Sequence, residues 1–488
     1  MKGRGHYIGG EWVGAKGAAL ARENPSTGTI DWDGHSATEA EVDSALVAAN
    51  AAVEEWAGTT LPLRIQKIQA VAEGYRARKS QLAEAICRQT GKPRWEAGTE
   101  VDAMIAKAAV SIAAQEQRRS ESSRELGEIS AVARFRPVGV FGVLGPFNMP
   151  GHLPNGHIMP AVLAGNTVVF KPSELTSAVG QIVAEVWGDA GLPPGVFNMV
   201  QGGGPTGAAL VANERVDGIL FTGSHAVGAA IHRQLGGHPE KMLALEMGGN
   251  NPLIVWDCTD LQAAAYCIVQ SAFITSGQRC SCARRLIVAD GDADAIVKAL
   301  TAMIGLIRVG LYTDDPEAFM GTVISSAAAQ RLLAMQAQMI ARGGKPIIQM
   351  RGDARSPALL WPGLIDMTST LPDDTEIFGP LLQLFRVGDF EGAIRVANQT
   401  RYGLSAGIIS DRAELCSTFR SRIRAGVIAV NRPMTGARSD LPFGGVGCSG
   451  NHRAGASFAV DYCTDPVAIV AGKAVALPST PAPGIQLK

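Results

Sequence analysis

Apolar positions recur with two different spacings along this chain. From Glu39 to about Gln115, apolar side chains such as Leu46, Val53 and Trp56 are separated by three or seven residues. That spacing puts them on one face of a helix, so a series of helices is predicted for this region.

From Ala131 onward, short apolar runs alternate with stretches of helical periodicity. A first set of buried strands is predicted at Gly139–Leu144, Thr167–Phe170, Val196–Val200 and Gly218–Phe221. The intervening stretches predict helices at Ile158–Ala164, Ser177–Ala190 and Thr206–Ala212. A second set of strands is predicted at Pro252–Val255, Arg285–Val288, Leu381–Val387 and Val427–Val430. Strands alternating with helices predict an α/β protein with two doubly wound parallel sheets.

Two segments belong to neither set. Gln117–Val138 is rich in Arg, Glu and Ser and then alternates polar with apolar residues, which is typical of a projecting hairpin arm. Tyr462–Val470 is predicted to be a lone strand without a local partner, followed by a loose tail from about Pro478. Because unpaired strands often join another subunit, at least a homodimer is expected.

Charge and hydropathy exclude several kinds of partner. Of the 488 residues, 44 are Lys or Arg and 45 are Asp or Glu, which gives a net charge of −1. This balance gives nucleic acid and anionic membranes no electrostatic support as partners. No run of about 18 apolar residues predicts a membrane span, and the N-terminus does not have the pattern of a signal peptide.

The eight cysteines are scattered through a long chain, which is typical of reduced thiols in the cytoplasm. Cys280 and Cys282 form C-x-C, but no other Cys or His pair has zinc spacing, so no metal site is expected.

Cys280 is the first candidate for chemistry. It lies in F-I-T-S-G-Q-R-C-S-C-A-R, close to Arg279, Arg284 and Arg285. Cationic neighbours and oriented backbone N–H groups lower the pKa of a thiol and favour the attacking thiolate. On local context alone, an ordinary buried cysteine is an equally good interpretation.

Glu246 is the second candidate, embedded in L-A-L-E-M-G-G-N-N-P. Apolar surroundings raise the pKa of a carboxyl group toward neutrality, which suits a general base. A glutamate on a loop surface is the alternative.

Asn148 follows the predicted strand G-V-F-G-V-L in the string G-P-F-N-M-P. Its amide could donate to an oxyanion, although asparagine is also common in turns.

Three strings could hold a dinucleotide. In F-K-P-S-E, Lys171 and Glu174 could bind ribose hydroxyls, and the carboxylate would repel the 2′-phosphate of NADP. In F-T-G-S-H-A-V-G, Ser224 could cap the helix Ala229–Leu235, whose free N–H groups would face a pyrophosphate. A G-x-G-x-x-G match at Gly202 is weak, since no convincing acid follows about 20 residues later.

Together these strings resemble the aldehyde dehydrogenase superfamily over nearly the whole chain. The match begins at N-P-S-T-G (24–28), continues through the strings above and ends with E-I-F-G-P (376–380) and P-F-G-G (442–445). The resemblance implies an NAD-binding domain of Rossmann type at 1–116 and 139–246 and a catalytic domain at 247–440. It also implies an oligomerisation arm at 117–138, joined by a C-terminal strand within 460–488, and assembly as a homodimer or homotetramer.

The resemblance also assigns roles in an NAD-dependent aldehyde oxidation. Cys280 would attack the aldehyde, Asn148 would hold the oxyanion, and Glu246 would activate the water that releases the acid. The residues implied to bind NAD are Lys171, Glu174, Gly223, Ser224, His225, Ala226, Val227, Gly228, Glu376 and Phe378.

Finer strings resemble the N-succinylglutamate 5-semialdehyde dehydrogenases of arginine catabolism. They are G-H-L-P-N-G-H (151–157), G-Q-R-C-S-C-A-R-R (277–285) and G-G-V-G-C-S-G-N-H-R (444–453). A substrate with two carboxylates would need cations and amides, for which the candidates are Arg279, His152, His157, Arg438 and Arg453. A glutamate-semialdehyde or aliphatic aldehyde enzyme remains the alternative, and a catalytically silent binding or structural member is a remote one.

Overall fold

The structure is a computed structural model that describes residues 1–127, 129–370, 373–478 and 480–486. Glu128 of the predicted arm lies outside the described residues, as do Ser479, Leu487 and Lys488 of the predicted tail. The helices are α1 Glu39–Ala57, α2 Leu61–Ala77, α3 Lys79–Thr90, α4 Arg94–Arg118, α5 His152–Leu163, α6 Ser177–Asp189, α7 Gly204–Ala212, α8 His225–Gln234, α9 Leu261–Phe273, α10 Ala293–Gly305, α11 Ser326–Ala341, α12 Phe390–Asn398, α13 Ala413–Arg422 and α14 Ala459–Tyr462.

The strands are β1 His6–Ile8, β2 Glu11–Val13, β3 Ala19–Glu23, β4 Ile30–His35, β5 Ser122–Leu126, β6 Ile129–Pro137, β7 Val140–Leu144, β8 Thr167–Lys171, β9 Phe197–Met199, β10 Gly218–Gly223, β11 Met242–Met247, β12 Asn251–Val255, β13 Ala283–Ala289, β14 Lys345–Ile348, β15 Arg351–Asp353, β16 Ser356–Trp361, β17 Gly363–Asp366, β18 Leu381–Val387, β19 Ser405–Ile409, β20 Val427–Val430, β21 Pro442–Phe443, β22 Gly455–Ala456 and β23 Thr464–Gly472. The predicted α/β class is confirmed.

The first large sheet has the strand order β11-β10-β7-β8-β9-β1-β2, with β7 to β11 parallel and the β1–β2 hairpin antiparallel. Both faces are covered by helices, so its central strands are apolar throughout. In β7, Phe141 and Val143 pack in one hydrophobic cluster, while Val140 and Leu144 pack in another. The four strands predicted for this sheet are confirmed.

The second large sheet has the order β14-β17-β18-β13-β12-β19-β20, and all its pairs are parallel except β14–β17. Its four predicted strands are confirmed. The other three strands of this sheet, β14, β17 and β19, are not among the predicted strands, and neither is β11 of the first sheet. In β11 a charged residue interrupts the apolar run, and β19 begins with the small residues Ser405, Ala406 and Gly407.

The projecting arm is confirmed as a hairpin of β5 and β6. The expectation that the C-terminal strand has no partner in its own chain is wrong. Strand β23 pairs antiparallel with β6 along its whole length, from Thr464 opposite Pro137 to Gly472 opposite Ile129. The two segments are far apart in sequence, and local pattern therefore does not reveal that they pair.

In the part of the chain that the structure describes, no helix is long and apolar enough to cross a membrane.

Candidate active site

A cavity of about 120 Å³ lies beyond the carboxyl ends of β7, β10 and β11. Cys280, Glu246 and Asn148, the three residues predicted for the chemistry, all line it. They come from three separate segments, so the fold brings together what the sequence places up to 132 residues apart (280 − 148). This position matches the rule that sites in α/β proteins lie at the carboxyl ends of strands.

Cys280 is positioned by a tight backbone path after α9. Thr275, Ser276 and Gly277 all have positive φ values, of 55°, 54° and 70°. A Cβ on Gly277 would lie 2.1 Å from the carbonyl oxygen of Gly379, so only glycine fits there. Gly277, three residues before Cys280, is therefore in close backbone contact with Gly379 of the E-I-F-G-P string.

Asn148 follows β7, and its side chain is buried and fixed. The side-chain Nδ2 donates to the backbone carbonyl of Gln278 at 2.9 Å, and the backbone carbonyl of Asn148 accepts from Lys92 Nζ at 2.7 Å. An amide nitrogen carries two hydrogens, so a second N–H donor remains for a ligand.

Glu246 lies near the end of β11 with its side chain buried. Within the described residues, neither of its carboxylate oxygens has a hydrogen-bond partner. Burial, with a smaller contribution from the Glu376 carboxylate, raises the pKa of Glu246 well above its ordinary value. These are the properties of a carboxyl group that can accept a proton near neutral pH.

Cys280 has a different electrostatic environment from the one expected. Burial, together with the carboxylates of Glu246 and Glu376, raises the pKa of its thiol well above the ordinary value. The expectation of a lowered thiol pKa is wrong, since Arg284 is the one arginine that lowers it and its effect is smaller than those of burial and the carboxylates.

The reason is that the three arginines are engaged elsewhere. Arg279 forms an ion pair with Glu96 at 2.8 Å. Arg284 donates to the carbonyls of Gly277 and Arg279, and lowers the thiol pKa only weakly. Arg285 donates to the carbonyls at 250, 396 and 397, on the far side of the strand.

Lys171 and Glu174 lie together at the carboxyl end of β8. Lys171 Nζ donates to the carbonyls of Pro172 and Gly202, and lies 3.9 Å from Glu174 Oε2. The side chain of Glu174 is 41% exposed, so it can reach a ligand. The weak glycine motif at Gly202 thus lies beside the predicted ribose site, which its sequence spacing did not show.

Helix α8 begins next to this edge of the sheet. Ser224 is its N-cap and accepts from the amide of Val227, which confirms the predicted cap, although the helix starts at His225 rather than Ala229. The first amides of a helix have no partner inside it, so those of His225 and Ala226 are free to face an anion. The segment 223–228 therefore fits a pyrophosphate.

Glu376 and Phe378 lie where the two large sheets meet. Glu376 Oε1 accepts from the amide of Gly249 at 3.2 Å, close to the glycines that follow Glu246. Phe378 packs edge-on against Phe147, with ring centres 5.8 Å apart, and beneath the guanidinium of Arg284. Glu376 is close enough to Cys280 to raise the pKa of its thiol, and the binding of nicotinamide by both residues stays a prediction.

The residues predicted to bind an anionic substrate separate into two groups. Arg279, Arg438, His152 and His157 line the cavity. Arg453 is not among its lining residues, and its guanidinium donates to the carbonyl of Gly445, so its role in binding substrate stays a prediction.

The two histidines are not cations. His157 is hydrogen-bonded to Tyr462 and Thr222, and burial lowers its pKa to about 3. Burial and the nearby charge of Lys107 hold the pKa of His152 well below its ordinary value. The expectation that they supply positive charge is therefore wrong, although both residues line the cavity.

Lys107 is a lining residue that sequence reasoning missed. It is a single lysine in the run A-M-I-A-K-A-A-V, and the buried residues Met104 and Ser111 lie three and four positions away on the same helix face. A lysine on the buried face of a helix is a signal that could have found it.

Comparisons with known proteins agree with this geometry. The model of the aldehyde dehydrogenase family matches residues 12–469. An N-succinylglutamate 5-semialdehyde dehydrogenase of Chromobacterium violaceum is 48% identical and covers 99% of this chain and 99% of its own.

Solved structures also share the fold. A 1-pyrroline-5-carboxylate dehydrogenase from Thermus with bound NAD superposes with a TM-score of 0.90 at 30% identity, covering 96% of this chain and 93% of that one. An NADP-dependent enzyme of E. coli gives a TM-score of 0.91 at 27% identity, covering 96% and 98%.

Proposed function

The chain belongs to the aldehyde dehydrogenase family, and we propose that it oxidises N-succinyl-L-glutamate 5-semialdehyde to N-succinyl-L-glutamate with NAD. The observation that carries this proposal is a thiol, an unpaired carboxyl group and an oriented amide in one cavity. The 48% identity to a relative of that name over the full chain supports the substrate.

Cys280 forms the covalent bond to the aldehyde carbon. The attacking form is the thiolate, so the thiol, whose pKa is raised by burial, loses its proton to solvent before the bond to carbon forms. The free N–H of Asn148 and the backbone N–H of Cys280 stabilise the oxyanion of the thiohemiacetal. NAD supplies the hydride acceptor, and loss of hydride leaves a thioester on Cys280.

Glu246 then releases the product. A water in the cavity attacks the thioester carbon as Glu246 takes its proton, and the bond to sulfur breaks to give the carboxylic acid. A base next to the thioester favours hydrolysis over transfer to another thiol, which separates this chain from a CoA-acylating enzyme.

Several groups at the carboxyl edge of the first sheet fit NAD. The Lys171 ammonium and the Glu174 carboxylate would hold the adenosine ribose, the segment 223–228 would hold the pyrophosphate through the amides of His225 and Ala226, and Glu376 and Phe378 would hold the nicotinamide half. Glu174 favours NAD, because its exposed carboxylate repels a 2′-phosphate. The Thermus structure contains NAD, whereas the E. coli enzyme uses NADP, so the shared fold does not by itself decide the nucleotide.

Assembly as a homodimer or homotetramer in the cytoplasm is part of the proposal. Among the described residues, no further strand pairs with either edge of the arm sheet, which has the order β23-β6-β5. The sheet carries exposed apolar side chains at Leu126, Ile129 and Val470. Exposed edges and apolar patches of this kind favour contact with another subunit. The domain bounds 1–116 with 139–246, and 247–440, are proposed from the two large sheets, whose strands lie within these ranges except for Met247 of β11.

The test is a substrate panel followed by NADH absorbance. N-succinylglutamate 5-semialdehyde, glutamate 5-semialdehyde and pentanal are compared with NAD and with NADP, and C280A serves as the inactive control. We expect the highest kcat/KM for the succinylated aldehyde with NAD. A higher kcat/KM for either other aldehyde would refute the proposed substrate, and an active C280A would refute the mechanism.

A further inference from the structure

Lys107 is a buried cation on the surface of the cavity that contains Cys280. It lies within α4, is 4% exposed and lines the cavity. Its ammonium donates to Ser439 Oγ at 3.0 Å. Among the described residues, no carboxylate oxygen lies within the 4.0 Å of its nitrogen that would make an ion pair.

The ammonium group therefore has unused binding capacity. It carries three donors, of which the Ser439 contact uses one. A buried charge without a counter-ion is costly, and here burial lowers the pKa of Lys107 to about 8. An anion entering the cavity would offset this cost, whereas a neutral ligand would not.

The neighbours of Lys107 leave room for such an anion. A Cβ on Gly156 of α5 would lie 3.9 Å from Lys107 Nζ, so the absent side chain keeps that approach open. His152, on the same helix, has a buried Nδ1 without a hydrogen-bond partner among the described residues. The neutral ring of His152 uses its N–H in the hydrogen bond to the Ala103 backbone, so Nδ1 is an acceptor and the ammonium supplies the donors that an anion here would need.

We propose that Lys107 binds a carboxylate of the aldehyde substrate and makes the enzyme selective for anionic aldehydes. A carboxylate can accept from the two donors of the ammonium that the Ser439 contact leaves unused. This inference rests on the proposed function for the aldehyde chemistry, but it does not depend on the succinyl group.

Two probes isolate the carboxylate. Pentanal and 5-oxopentanoate have the same carbon chain and differ by one carboxylate at the end away from the aldehyde. In the wild-type enzyme, kcat/KM for 5-oxopentanoate should exceed that for pentanal at least tenfold. In K107M this ratio should fall roughly 10- to 100-fold, mainly through KM, which is the range of a charge-assisted hydrogen bond.

Control variants separate charge from packing. K107R keeps the charge and should retain more of the ratio than K107M. K298M removes an exposed lysine of α10, outside the cavity, and should leave the ratio at the wild-type value. An equal loss for both probes in K107M, or an unchanged ratio, would overturn the proposal.

The wild-type measurement alone also tests the inference if K107M does not fold. A wild-type enzyme with no preference for 5-oxopentanoate over pentanal would refute it. If glutamate 5-semialdehyde is oxidised faster than its succinylated form while the ratio still depends on Lys107, the proposed substrate fails and the carboxylate site stands.

Discussion

Buried charges occur in two arrangements around the cavity, and the first lies in its wall. Lys92 pairs with Glu100 at 2.7 Å, and Arg279 pairs with Glu96 at 2.8 Å. Their remaining contacts join separate segments, since Glu100 accepts the amides of residues 151 and 152 and Lys92 holds the carbonyl of Asn148. We refer to these four residues as the wall cluster.

The second arrangement lies on the cavity surface and has no internal pairing. The carboxylate of Glu246 has no hydrogen-bond partner among the described residues, and the ammonium of Lys107 has only the hydroxyl of Ser439. Burial shifts both groups toward their neutral forms, raising the pKa of Glu246 and lowering that of Lys107 to about 8.

The difference separates support from chemistry. A paired buried charge is held in place by its partner. Removing that partner leaves the other charge buried and unpaired, which greatly lowers the stability of the fold. An unpaired group whose pKa is shifted by burial toward its neutral form can take up a proton or bind an ion as the reaction proceeds. Substitutions in the wall cluster should therefore reduce stability, while those on the cavity surface should reduce activity.

The largest effect on activity is expected from E246Q. Glutamine keeps the shape but cannot accept a proton, so hydrolysis of the thioester should slow roughly 10²- to 10⁴-fold. The free energy of unfolding should not fall, since a neutral amide is easier to bury than a carboxylate. Rapid mixing with saturating aldehyde and NAD should show a burst of NADH near one equivalent per site, followed by slow turnover. Loss of the burst would mean that Glu246 is also needed before hydride transfer.

Breaking the wall cluster should give the largest loss of stability. E96Q leaves Arg279 buried without its counter-ion and should lower the free energy of unfolding by about 3–5 kcal/mol. The control is E84Q, which breaks the exposed Arg94–Glu84 pair and should cost at most about 1 kcal/mol. Urea denaturation followed by tryptophan fluorescence measures both. Equal costs would show that burial does not distinguish the two pairs.

Asn148 links the two arrangements, because its carbonyl is held by the wall cluster and its amide faces the cavity. N148A should lower kcat for aldehyde oxidation roughly 10²- to 10³-fold, as loss of an oxyanion donor does. The burst of NADH should slow by the same factor, because the lost donor acts before hydride transfer. A slower steady state with a normal burst would place the role of Asn148 in hydrolysis instead.

The sequence predicts the chemistry of this cavity better than its electrostatics. Strings such as L-E-M-G-G and G-Q-R-C identify Glu246 and Cys280, because residue type and order can be read directly from the sequence. The distribution of charge does not follow from proximity in sequence. Arg279 is adjacent to Cys280 yet pairs with Glu96, 183 residues away, and Lys107 reaches the cavity from a helix that contains no recognised string. The same limit hid the pairing of β23 with β6, which joins segments some 330 residues apart in the chain.

The smallest expected effect concerns Glu376 and the pH at which Cys280 reacts. After burial and Glu246, the Glu376 carboxylate is the next contribution that raises the thiol pKa. A thiolate is repelled by a nearby carboxylate, whereas the neutral thiol is not, so E376Q should lower the thiol pKa. Alkylation by iodoacetamide follows the thiolate, and its midpoint should therefore move to lower pH.

Alkylation of C280A, measured in parallel, gives the signal of the other cysteines, which is subtracted from this titration. D373N removes an exposed carboxylate of the same segment and serves as the control. Because E246Q removes the second-largest contribution, its midpoint should move further than that of E376Q. The reverse order would mean that Glu246 is already protonated when Cys280 titrates. The two carboxyl groups and the thiol would then share one proton equilibrium, and the cavity surface would titrate as a unit rather than as separate groups.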